Sequence, residues 1–118
     1  MKKLTDKELE IMNILWDKGA LSMRDLIEQM PNPKPHFNTV STYVRRLESH
    51  GMIVHKVLGP KFYLYDATMT REKYAEIINK DSIEKFFNGS YMDFISQLVQ
   101  EQEISIDDLK ELINLIEK

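Results

Sequence analysis

Between residues 5 and 50, apolar side chains recur at the three- and four-residue spacing of amphipathic helices. Leu9, Met12 and Trp16 mark a first stripe, widened by Ile11 and Leu15, and Trp16 is expected in the core. Before it, Thr5-Asp6-Lys7-Glu8 has the form of a capping box, in which the Thr hydroxyl accepts the Glu8 amide hydrogen and the Glu carboxylate reaches back. Gly19 suits the stop. A shorter helix opens at Ser22-Met23-Arg24-Asp25, turns Leu26, Ile27 and Met30 inward and ends at Pro31. Pro31-Asn32-Pro33-Lys34-Pro35 is a stiff connector. A third helix is predicted from Phe37 or Asn38 to His50, with Val40, Tyr43, Val44 and Leu47 as its stripe and Gly51 as its terminator. The period then changes. Met52 to Val57 is a short β-branched run, Gly59-Pro60 signals a turn, and Phe62-Tyr63-Leu64-Tyr65 alternates like a returning strand.

Helical spacing resumes at Thr70, which can cap a helix running to about Asn88, closed by Gly89. Tyr74, Ile77, Ile78, Ile83, Phe86 and Phe87 supply its apolar side. Ser90 caps another, lined by Tyr91, Phe94, Ile95 and Leu98. Ser105 starts a last one, with Ile106, Leu109, Leu112, Ile113 and Ile116 on one side. Three short amphipathic helices have little to bury their stripes against within one chain. A two-fold partner resolves this by burying the same patch twice, and the alternative is that they fold back onto the helices and hairpin of the winged domain in their own chain. The candidate dimerisation residues are Tyr74, Ile78, Phe86, Phe87, Tyr91, Phe94, Ile95, Leu98, Leu109, Leu112, Ile113 and Ile116. The fold class expected is mostly α with a small β-hairpin: a winged helix-turn-helix domain over 1–69 and a helical dimerisation domain over 70–118.

Charge sharpens that division. The whole chain carries a formal −3, but residues 1–70 hold ten Lys/Arg against eight Asp/Glu, and residues 71–118 hold six against eleven. From Lys34 to Lys61 there are five cations (Lys34, Arg45, Arg46, Lys56, Lys61), one acid (Glu48) and all three histidines (His36, His50, His55). With 42% hydrophobic and 30% charged residues the composition fits a soluble globular or dimeric protein. No apolar run approaches the roughly 20 residues needed to span a bilayer, and the start lacks the apolar core of a secretory signal. The absence of cysteine excludes disulfides, thiolate metal sites and Cys nucleophiles, and is compatible with a reducing cytoplasm.

The third helix carries the candidate chemistry. Opposite its stripe lies a face centred on Asn38, Thr42, Arg45 and Ser49 and flanked by Thr39, Ser41 and Arg46. Arg can pair with guanine O6 and N7, Asn with adenine, and a Thr methyl can meet a thymine methyl, so this face suits a major groove. A plain solvated surface is the alternative. Three helices followed by a hairpin tilt the choice toward DNA, with Lys56 and Lys61 on the wing against phosphates. The DNA-binding candidates are therefore Asn38, Thr39, Ser41, Thr42, Arg45, Arg46, Lys56 and Lys61. No phosphate loop, HExxH or serine elbow is present, so no enzyme is expected. The histidine spacing argues for no metal site, and no cofactor is expected. A winged helix that binds protein instead of DNA remains the competing class.

The residues Leu4-Thr5, Glu8-Leu9-Glu10, Met12 and Leu15-Trp16 resemble the opening helix of the penicillinase repressor family (the BlaI, MecI and CopY type). Thr39-Val40, Thr42, Arg46-Leu47, Gly51 and Ile53 resemble its recognition-helix pattern, and Tyr63, Tyr65 and Arg71-Glu72-Lys73-Tyr74 its wing-to-linker segment. The resemblance implies a dimeric cytoplasmic repressor on an inverted-repeat operator of double-stranded DNA. In the β-lactam branch it also implies a membrane sensor protease that triggers cleavage in the dimerisation region. The chain departs from the family in four places. It has no Cys-x-Cys pair for copper, and Gln97-Leu98 stands where the Asn-Phe cleavage dipeptide falls. Tyr43 stands where Leu is frequent, and Asn38 where several members have Lys.

Overall fold

A computed structural model describes residues 3–117 of the chain. In order it forms α1 (Asp6–Lys18), α2 (Met23–Glu28), α3 (Phe37–Ser49), β1 (Ile53–Gly59), β2 (Phe62–Ala67), α4 (Arg71–Phe87), α5 (Tyr91–Gln100) and α6 (Ile106–Glu117). The chain divides into two compact units, the first reaching Ala75 and the second starting at Glu76. The division falls inside α4, so the first turn of this helix belongs with the hairpin and the helices before it.

The first unit is a winged helix-turn-helix. The predicted capping box forms in full: the Thr5 hydroxyl accepts the Glu8 amide hydrogen at 3.3 Å, and the Glu8 carboxylate accepts the Thr5 amide hydrogen at 3.0 Å. Ile11, Met12 and Leu15 of α1, Leu26 of α2 and Val40, Val44 and Leu47 of α3 are fully buried together with Met52 and Ile53 at the start of the hairpin. Gly51 ends α3 at φ +79, which lets the Met52 amide bond back to the Leu47 carbonyl at 2.9 Å. That tight reversal drops Met52 and Ile53 into the core and launches β1. The hairpin pairs antiparallel, with Ile53 opposite Ala67, His55 opposite Tyr65 and Val57 opposite Tyr63, and a bulge at Leu58. Leu21 and Tyr65 exchange backbone hydrogen bonds at 3.0 and 2.8 Å, which ties the outer edge of β2 to the segment leading into α2.

The entry to α4 is pinned to α1. Trp16 is half-buried, and its indole N–H donates to the Met69 carbonyl at 2.9 Å. The Arg71 guanidinium lies over the Trp16 ring, 5.5 Å from its centre, and donates to Asn13 Oδ1 and Asp17 Oδ1. Tyr74 is buried, packs 5.8 Å from the Trp16 ring and accepts the Leu4 amide hydrogen on its hydroxyl. In the second unit Gly89, at φ +78, donates back to the Ile83 carbonyl and closes α4. Ser90 and Ser105 accept the Asp93 and Asp108 amide hydrogens, as their capping patterns foretell.

Burial by itself pushes the Glu8 carboxyl up. The two hydrogen bonds with Thr5 and the positive charges of Arg46 and His50 together outweigh it and hold the group below the usual carboxylate range. The ionised form therefore stabilises the fold above the unfolded value of about 4.3, and that contribution is lost as pH falls through the lower folded value. Glu8→Gln keeps the shape of the cap without a charge to titrate. The melting temperature of the unaltered protein should exceed that of Glu8→Gln near pH 6, and thermal scans should show the gap closing toward about pH 3. Thr5→Ala should cost about 1 kcal/mol, read from urea unfolding.

Candidate nucleic-acid interface

Burying Val40, Val44 and Leu47 leaves the opposite side of α3 nothing to face but solvent. Asn38, Thr42 and Arg45 lie there, all exposed, with Ser49 at the far end. Thr42 returns its hydroxyl hydrogen to the Asn38 carbonyl at 2.9 Å, and Ser49 does the same to the Arg46 carbonyl at 2.8 Å. These back-bonds leave the Thr42 methyl and the hydroxyl lone pairs as its outward chemistry. The Arg45 Nε makes only a long contact to the Ser41 carbonyl at 3.4 Å, so its terminal nitrogens are available to a ligand.

The remaining candidates separate to the two sides of this ridge. Thr39 and Arg46 lie toward α1. Thr39 borders a small apolar cleft of about 160 Å³ with Ile11, Met30 and Tyr43. The Arg46 guanidinium sits over the Tyr43 ring at 5.6 Å and lines a cleft with Thr5, Glu8 and His50. It thus serves the α1 cap as well as the surface. Ser41, half-buried, lies on the other side, across an open cleft from Lys61, Phe62 and Tyr63 of the wing. Lys56 and Lys61 are exposed on the hairpin. Lys61 adopts φ +59 at the turn and Lys56 sits opposite Leu64. Lys34, counted in the cationic stretch, is turned away from this face: its ammonium donates to the Glu28 and Met30 carbonyls at the end of α2.

Sequence reasoning missed the tie between helix and wing. The Glu48 carboxylate of α3 contacts His55 Nδ1 of β1 directly. The His55 ring in turn packs edge-on against Tyr63 at 5.5 Å and tilted against Tyr65 at 5.9 Å. Burial, followed by the charge of Glu48 and by Tyr63, pushes the Tyr65 hydroxyl up, against the pull of Arg45. Glu48 lies on α3 and His55 on β1, so the period of neither element connects them. Their only sequence signal is an acid inside an otherwise cationic stretch. Among the described residues no group of three or more His, Cys, Asp or Glu is arranged to hold a metal ion.

Of the dimerisation candidates, Tyr74 is buried in the first unit, as described above, and is not on an open face. In the second unit the faces are largely uncovered. No residue of α5 or α6 is buried, and Phe86 and Ile116 are 77% and 81% exposed. Tyr91, Ile95, Leu112 and Ile113 are exposed, while Ile78, Phe87, Phe94, Leu98 and Leu109 are half-buried. Phe87 and Phe94 meet edge to face at 5.5 Å, and Ile83 of α4 is buried.

Comparison with known proteins agrees with this architecture. The profile of the penicillinase repressor family matches residues 4–118. The penicillinase repressor of Bacillus licheniformis is 23% identical over 126 aligned positions, covering 100% of this chain and 94% of its own. The methicillin resistance regulatory protein MecI of Staphylococcus aureus strain N315 is 26% identical, covering 98% and 94%. Among solved structures, Bordetella bronchiseptica BpsR superposes with a TM-score of 0.51 at 17% identity, over 98% of this chain and 74% of that one, a likeness of fold.

If the ridge reads bases and the wing meets phosphates, the two classes of substitution differ. Arg45→Ala or Asn38→Ala should weaken binding to specific DNA by about 1–3 kcal/mol and leave binding to random DNA nearly unchanged. Lys61→Ala should weaken both alike and lower the slope of log K against log salt by about one. Fluorescence anisotropy titrations over a salt series measure both.

Proposed function

We propose that this chain, which belongs to the penicillinase repressor family, binds an inverted-repeat operator as a homodimer, one α3 in the major groove of each half-site. Members of that family are DNA-binding transcriptional repressors and not enzymes, and this chain is one of them. The observation that carries the finer reading is the ridge of Asn38, Thr42 and Arg45, held outward by a fully buried stripe and flanked by the cationic wing. Two such ridges spaced by one turn of DNA, about 34–36 Å, read a pseudo-palindrome.

The uncovered apolar faces of α5, α6 and the end of α4 support the dimer, because exposed side chains such as Ile116 and Phe86 gain most from a second copy of the same surface. Linking two half-site readers makes the second contact intramolecular, so anything that separates the protomers loses most of the affinity. Release by cleavage or by loss of dimerisation follows from that logic, with a membrane sensor protease as the candidate trigger. The Gln97–Leu98 peptide lies within α5, so a protease acting there must first unwind that helix. No helix among the described residues is long and apolar enough to cross a membrane. The proposed place of action is the cytoplasm, where the operator is.

A gel shift on the promoter DNA of the protein's own gene, at near-physiological salt, tests operator binding; equal affinity for scrambled DNA of the same length sinks it. Deleting residues 76–118 spares the Arg71 and Tyr74 anchor. It should leave a folded monomer in sedimentation that has lost tight binding to the full operator. A truncated chain that still sediments as a dimer places the interface elsewhere.

A further inference from the structure

An aromatic side chain at the start of α3 stands outside the core. Phe37 is the first residue of the helix and is 58% exposed. It lies one turn before Ser41, and the two share the rim of an open cleft of about 430 Å³. Lys61, Phe62 and Tyr63 of the wing form the facing wall, and Arg24 at the start of α2 also borders the cleft. Among the described residues, the lining is cationic, hydroxyl-bearing or apolar, and no acid takes part. A phenyl ring left in water on an otherwise polar helix face gains free energy only when something apolar covers it. The first turn of a recognition helix is where base-edge contacts concentrate. The apolar group presented by a major groove is the C5-methyl of thymine, for which Phe is a suitable partner. Cations on both sides of the cleft fit the phosphates that flank such a base, which favours DNA over an apolar protein surface.

We propose that Phe37 is a specificity-determining residue that packs against the C5-methyl group of a thymine in the operator, with Arg24 and Lys61 on the neighbouring phosphates. The assignment rests on the operator-binding reading above and adds a base preference to it. It also makes Phe37 a reader that does not depend on hydrogen bonding.

Selection of binding sites from random duplexes, with the full chain and with Phe37→Ala, gives two consensus sequences to compare. The variant should lose the preference for thymine at one position and keep the others. Replacing that thymine by deoxyuridine removes the methyl group alone. For the unaltered protein this should weaken binding about fourfold, the value of one methyl group taken out of water. For Phe37→Ala the same replacement should leave affinity unchanged, and Phe37→Leu, which keeps apolar bulk, should retain part of the effect. Because the ring is more than half exposed, all three proteins should melt at the same temperature. A Phe37→Ala protein with the parent's consensus and the parent's response to deoxyuridine overturns the assignment. A parent protein indifferent to every thymine methyl overturns it too, while its remaining consensus leaves operator binding standing. A parent that selects no consensus overturns operator binding, and this assignment with it.

Discussion

Burial of one stripe of α3 governs the rest of the first unit. Val40, Val44 and Leu47 are packed out of water where α3 meets α1 and α2. Each such side chain contributes about 1.5–3 kcal/mol when fully buried, so the helix cannot rotate about its axis without exposing the stripe. A fixed rotation puts Asn38, Thr42 and Arg45 on the far side whatever their own interactions are. The exposed ridge is thus positioned by residues that lie in the core. The same core takes in Met52 and Ile53, and so sets where the wing begins relative to the helix it accompanies.

Two polar ties add detail to that frame. Glu48 and His55 join α3 to β1, with Tyr63 and Tyr65 packed on the imidazole. Arg46 and His50 stand near the buried cap of α1, where their charge favours the ionised Glu8. Residues that look on a helical wheel like one continuous binding face therefore divide. The central ridge is free to meet a ligand, one flank braces α1, and the other opens onto the cleft beside the wing. Arg46 shows the consequence: its substitution disturbs a helix cap as well as any contact to DNA, which makes Arg45 the cleaner probe of base reading.

The linker region shows how a helix can begin in one unit and continue into another. Arg71 and Tyr74 are held by Asn13, Asp17, Trp16 and the Leu4 backbone. These contacts draw the first turn of α4 into the winged unit, and the compact division follows it to Ala75. Tyr74, a candidate for the dimer face, is buried beside Trp16 of α1, and its hydroxyl accepts the Leu4 amide hydrogen, a partner it needs when buried. Within the second unit, α5 and α6 bury no residue and leave broad apolar faces uncovered.

The amino-acid sequence by itself determined the elements, because their signals are local. The capping box at Thr5 and Glu8, the stripe of α3, the glycine at its end and the alternation of the hairpin all act within a few residues, and each element formed where its signal stands. The outward placement of Asn38, Thr42 and Arg45 was legible for the same reason, since one buried stripe defines the opposite face. Which neighbour each remaining side chain met was decided only in three dimensions. Glu48 with His55, Arg46 beside Glu8, Lys34 on the end of α2, and Tyr74 with an amide 70 residues away are contacts between elements or across turns. No periodicity encodes such pairs, because they depend on how helices cross and how far a wing leans. Phe37 belongs to both accounts: its position at the start of α3 was readable from the chain, while its exposure beside a cationic cleft was a property of the fold.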